Sequence, residues 1–268
     1  METCYYFACC ENSVILCISI FNKLTTPSII PIYWKLMKSA IKVSDDFVVF
    51  KSNKIASKGI SQLLLYNFSI KKDISDLIKT EEEYSFVFST FGQALIDRKF
   101  NDMEEEKEDI GNRTLLFACK KYIKSQKNGI LLMYNMHNLF KKKKVDSYFY
   151  NTDNFEPYCI CPLLINESKY ILEDSVKIKE SDYFLVGGFD KKRKQGIIKL
   201  YKIIYEEKIS IEYIQDIKLF DKDFKGFKGP ISCITQSKKN GNLLITCWYG
   251  NVYLVNKPDI LFYLEQDE

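Results

Sequence analysis

A unit recurs about five times along this chain: an apolar strand, a turn that usually carries glycine, and a second apolar strand ending near an aromatic residue. It is read at residues 243–257 (LLITCWYGNVYLVNK), 85–99 (SFVFSTFGQALIDRK), 115–136 (LLFACKKYIKSQKNGILLMYNM), 183–203 (YFLVGGFDKKRKQGIIKLYKI) and, in looser form, 13–37. One hairpin cannot bury its apolar face alone, so repeated hairpins with further strands between them constrain the chain to a radial or stacked all-β array.

The intervals between hairpins supply the further strands. Residues 147–150 and 158–164 lie between the third and fourth hairpins, and 211–219 and 231–236 between the fourth and fifth. Residues 47–50 and 62–68 play the same parts earlier, with 70–79 read as a short helix or an edge strand. Residues 224–230 (FKGFKGP) place Gly and Pro where the chain crosses from one group of strands to the next. The acidic stretch 100–113 is too short for two strands and is the irregular segment of an otherwise single domain spanning 1–268.

Aromatic content of 15% and only six Pro in 268 residues suit a strand-rich folded chain rather than a disordered one. The 39 basic residues nearly balance 35 acidic ones, unlike the composition of a dedicated nucleic-acid binder. Nine cysteines are an odd number, most of them inside apolar runs and none in a CxxC pair, and His137 is the only histidine. That pattern favours buried free thiols in a reducing, cytoplasmic setting over a disulfide framework or a zinc site, so no metal and no cofactor is expected. Residues 4–21 are apolar, but Glu11 and Asn12 interrupt them and no basic region precedes them. They read as two strands, 5–9 and 14–20, rather than as a transmembrane segment.

The hairpins resemble WD40-type repeats of β-propeller proteins, in which an apolar strand, an Asp-Gly turn and a strand ending in Trp-Asp follow one another. Residues 245–255 (ITCWYGNVYLV) keep the glycine at Gly250, with Tyr249 in the Asp place and Val255 in the Trp place. Tyr201 and Tyr134 stand in the Trp place of two other repeats, and Trp34 fills it in the first. There is no Gly-His pair and no Trp-Asp pair. The resemblance implies a β-propeller of about five blades, or a partial propeller, built from four-stranded antiparallel blades. It also implies a non-enzymatic scaffold for protein–protein interaction.

Catalysis finds little support. A Ser-His-Asp or Cys-His arrangement would need His137, which follows a predicted strand in a polar, Lys-rich stretch and reads as a solvated loop residue. No Gly-rich phosphate cradle occurs, so no catalytic residue is assigned. The candidate binding residues are basic: Lys191, Lys192, Arg193 and Lys194 on one hairpin turn, with Lys225 and Lys228 on the following connector, which a propeller would bring to one rim. Such a rim would attract phosphate-bearing ligands such as nucleic acid or a phosphoinositide, or acidic peptides, through a salt-sensitive field. Lys-rich hairpin tips also serve solubility and block edge pairing. Finally, apolar strands near both ends, 5–9 and 260–264, would close such an array on each other, or leave edges for another chain to complete.

Overall fold

The computed structural model describes residues 5–9, 14–19, 28–31, 37–44, 46–52, 63–67, 70, 72–78, 86–97, 113–123, 126–139, 143–166, 178–206, 208–217 and 226–256. Among them are eighteen strands, two short 3-10 turns and no α-helix. No helix in that part of the chain is long and apolar enough to cross a membrane.

The strands form five successive antiparallel meanders. The first holds β1 (Tyr5–Cys9), β2 (Val14–Ser19) and β3 (Ser28–Pro31). The second holds β4 (Met37–Lys42), β5 (Phe47–Ser52), β6 (Leu63–Asn67) and β7 (Lys72–Asp73). The third holds β8 (Phe86–Asp97), β9 (Arg113–Ile123), β10 (Gln126–Asn135) and β11 (Asp146–Asn151). The fourth holds β12 (Phe155–Asn166), β13 (Ile178–Asp190), β14 (Gln195–Ile204) and β15 (Ser210–Ile217). The fifth holds β16 (Ile231–Gln236), β17 (Leu243–Cys247) and β18 (Val252–Val255). A parallel pairing of β8 with β12, at Phe91 and Cys159, joins the third and fourth meanders into one eight-stranded sheet. The first strand of each meander meets the first strand of the next, from β1 through β4, β8 and β12 to β16.

Alternation along the strands explains why so many of them are apolar throughout. Leu115, Phe117 and Cys119 of β9 pack with Phe47, Val49, Leu63 and Leu65 of the second meander, while Leu116 and Ala118 pack with Ile160, Phe184 and Val186 of the fourth. Successive residues point to opposite faces, and both faces are covered. The fourth meander repeats the pattern, sending Cys159, Leu185 and Ile198 into a third core with Ile231, Ile245 and Cys247 of the fifth. Tyr134 and Tyr201, in the positions where the repeat pattern asks for an aromatic, are at most 1% exposed and lie in the first and second of these inter-sheet cores. Tyr201 stacks on Phe184 and meets the edge of Tyr150 from the third meander.

Four of the expected hairpins are present: β2–β3, β9–β10, β13–β14 and β17–β18. The one expected at residues 85–99 is not. That segment is the single strand β8, with a register shift between Phe88 and Gln93 instead of a reversal. Gly92 misleads because it serves close approach rather than turning: a Cβ there would lie 2.5 Å from the Ala118 Cβ. The hairpin of the second meander is β5–β6, and β4 is the strand that sequence reading missed. With β8 as a first strand, 100–112 is simply the connection to β9, so no pair of strands is needed there; that connection lies outside the described residues. Trp34, Lys225 and residues 260–264 also lie outside them. Cys119, Cys159, Cys161, Cys233 and Cys247 are free thiols, all five pushed up by burial, Cys161 to about 12.

Candidate binding surface

The start of β12 carries Glu156 to the place where three meanders meet. Its carboxylate accepts a hydrogen bond from Lys120 Nζ of β9 at 2.8 Å and from the Tyr158 hydroxyl at 2.6 Å, and pairs with Lys191 Nζ of the β13–β14 turn at 3.0 Å. Burial raises the affinity of this carboxyl for protons, but the hydrogen bonds from Lys120, Tyr158 and Lys191 outweigh it and hold the group at about 2. Lys120 also sits 4.4 Å from the centroid of the Tyr158 ring.

Tyr158 also meets Trp248, whose ring centroid lies 4.7 Å away at an interplanar angle of 58°. Trp248 opens the turn between β17 and β18, and its backbone N–H donates to the Pro230 carbonyl at 3.0 Å. Gly250 takes φ of 80°, the left-handed conformation that lets the turn close. The Tyr249 ring lies against Gly229, where a Cβ would come within 2.5 Å of its Cδ2 and Cε2. Both rings remain open to solvent, Trp248 by 57% and Tyr249 by 76%.

The β13–β14 turn is built by its acids. Asp190 Oδ1 accepts from the backbone N–H groups of Lys192 at 2.8 Å and Arg193 at 3.0 Å, an Asx-type closure. Arg193 Nη1 reaches Asp216 Oδ2 at 2.6 Å, and Lys199 Nζ reaches Asp216 Oδ1 at 2.7 Å. Asp216 is thereby held below the usual carboxylate range: burial opposes this, and hydrogen bonds from Lys199, Arg193 and Tyr213 prevail. An isolated bridge between Gly196 and Phe227 brings the connector carrying Lys228 beside this hairpin.

The basic residues singled out in the sequence therefore divide. Lys191 and Arg193 are engaged with Glu156 and Asp216. Lys192, Lys194 and Lys228 are exposed, and their ammonium groups have no carboxylate partner among the described residues. His137 is exposed in a 3-10 turn, where its backbone N–H donates to Asn135 Oδ1. Among the described residues no group of three or more His, Cys, Asp and Glu is arranged to hold a metal.

No family model matches this chain, and no curated protein matches it in sequence.

Sequence reading missed the aromatic and apolar part of this surface. On β17 and β18, Leu243, Ile245, Cys247 and Val255 face the core, while Leu244, Val252 and Leu254 face outward and are 40%, 62% and 61% exposed. Leu244 stands opposite Leu254, and Thr246 opposite Val252. The signal was present in the sequence as strands apolar on both faces, since alternation puts Leu244, Val252 and Leu254 on the face opposite the core residues.

Proposed function

We propose that this chain is a non-enzymatic platform on which other proteins assemble, and that its five meanders are the blades of a WD40-like β-propeller, closed by its own ends or completed by another chain. The fold reading is supported by first strands that neighbour one another in sequence order and by cores lying between successive meanders. The free, buried cysteines suit the reducing cytoplasm.

The functional reading rests on one observation. Five of the eight exposed large hydrophobic residues among the described ones, Leu244, Trp248, Tyr249, Val252 and Leu254, fall on the single hairpin β17–β18. Apolar residues scattered singly over a surface mean little, but a concentration on one element marks an interaction site. A second reading, a rim that binds a phosphate-bearing ligand, is favoured by Lys192, Lys194 and Lys228, three exposed cations with no carboxylate partner among the described residues.

Recovery of binding partners from native extract at low and at high salt separates the two. The platform reading expects a protein that survives high salt and is lost with Val252→Asp/Leu254→Asp. Recovery only of nucleic acid or phospholipid, only at low salt, and lost with charge reversal at Lys192, Lys194 and Lys228, would replace it with the phosphate-binding rim.

A further inference from the structure

We infer that the β17–β18 turn and its basic surround form a docking site for an acidic peptide segment that carries one large apolar anchor residue. This inference rests on the platform reading above and names the partner of that surface.

The anchor is Trp248. Its indole is backed by Tyr158, its main chain is tied to Pro230, and Tyr158 is in turn fixed by Glu156 and Lys120. A ring supported in this way loses little freedom on binding, which is the property of aromatic residues that dominate peptide affinity. Tyr249 extends the aromatic surface from Trp248 toward Gly229, next to Lys228.

Charge selects the ligand's sign. Among the described residues the carboxylates beside this turn are already engaged: Glu156 holds Lys120 and Lys191, Asp216 holds Arg193 and Lys199, and Asp190 faces Arg193. A cationic peptide would have to displace those partners. An acidic one meets Lys192, Lys194 and Lys228, whose ammonium groups have no carboxylate partner among the described residues. A peptide is favoured over single-stranded nucleic acid because the apolar surface continues from Tyr249 along Val252 and Leu254, which suits side chains and not a sugar-phosphate backbone.

The test uses the full chain and fluorescence anisotropy with three labelled probes: a Glu/Ser decapeptide with a central Phe, the same peptide with Ala in place of Phe, and an oligo(dT) of matching charge. The Phe peptide should bind best, and added salt should lower its affinity only in part, the apolar anchor holding the remainder at high salt. Trp248→Ala should weaken it about tenfold or more, while Trp248→Phe retains most of it and shows that the turn still folds. Lys192→Glu/Lys194→Glu/Lys228→Glu should weaken binding at low salt and flatten the salt dependence. Equal binding of the Phe and Ala peptides, tighter binding of oligo(dT), or full affinity in Trp248→Ala would overturn the inference. Val252→Asp/Leu254→Asp, which places two carboxylates on the apolar surface beyond Tyr249, should weaken the Phe peptide as well. If the peptide fails while that variant still abolishes partner recovery from extract, only this inference falls. If partner recovery ignores the variant as well, the platform reading falls with it.

Discussion

The Tyr158 and Trp248 rings pack at a tilt with centroids 4.7 Å apart although ninety residues separate them, and this contact ties the first strand of the fourth meander to the turn of the fifth. Tyr158 belongs to a network with Glu156 and Lys120, so the contact couples the exposed hairpin turn to that ion pair.

Trp248→Ala should lower the stability of the chain modestly, by about 1 kcal/mol, because an aromatic pair contributes in that range beyond its buried area. Trp248→Phe should recover most of the loss. Denaturant midpoints of the two variants check this, and equal midpoints for wild type and Trp248→Ala would show the contact to be energetically neutral.

Glu156 makes part of the stability acid-labile. Its carboxyl is held at about 2 against an ordinary value of 4.5, so the folded state binds its proton less readily than the unfolded chain. The stabilisation is complete above pH 4.5 and is lost as the pH falls toward 2. Glu156→Gln should be less stable at neutral pH, having left Lys120 and Lys191 without their carboxylate. It should also show a shallower decline in melting temperature over the acid window.

Lys51 works in the opposite pH range. Its side chain is almost completely buried, with the ammonium donating to the Ser89 carbonyl, and burial pulls the group down to about 7 while the nearby Cys119 sulfur opposes the shift. Between about 7 and its ordinary 10.5 the unfolded chain holds more protons than the folded one, so stability should rise with pH across that interval, by an amount on the order of a few kcal/mol. Below pH 7 the full desolvation penalty remains. Lys51→Met should flatten the rise and raise the melting temperature at pH 6 to 7; a wild-type curve flat between pH 7 and 10 would refute the assignment.

Gly92→Ala distinguishes a strand glycine from a turn glycine. The added methyl would meet the Ala118 Cβ at 2.5 Å and the Tyr158 carbonyl oxygen at 3.0 Å, so the substitution should destabilise by about 1–3 kcal/mol. A neutral result in thermal melts would favour a solvent-facing turn at this position.

Much of the strand order is legible in the sequence. The limits of β16 coincide with the run 231–236, and β11 and β15 lie within one or two residues of the expected strands 147–150 and 211–219. Two features escaped. Met37–Lys42 carries Lys38, Ser39 and Lys42 and lacks a clear period-2 apolar pattern, so β4 gave no strand signal. Gly92 imitated a turn, which shifted the hairpin of the second meander from β5–β6 to β8 and created the apparent shortage of strands at 100–113. Of the candidate surface, the lysines were visible as a cluster, but their division into paired and exposed ones was not. Asp216 lies twenty-three residues from Arg193, and Glu156 thirty-five from Lys191, so nothing local in the sequence announces either partner.

Local patterning, by itself, determined that this chain is all-β and repetitive, because the two-residue period and the recurring turn residues are written into each segment independently of the rest. Tertiary structure alone decided which face of each strand meets which neighbour, which lysines are neutralised, and that the outward residues of β17 and β18 stay exposed. Those outcomes depend on side chains brought together across the sheets, where distance in space, rather than distance along the chain, sets burial and charge.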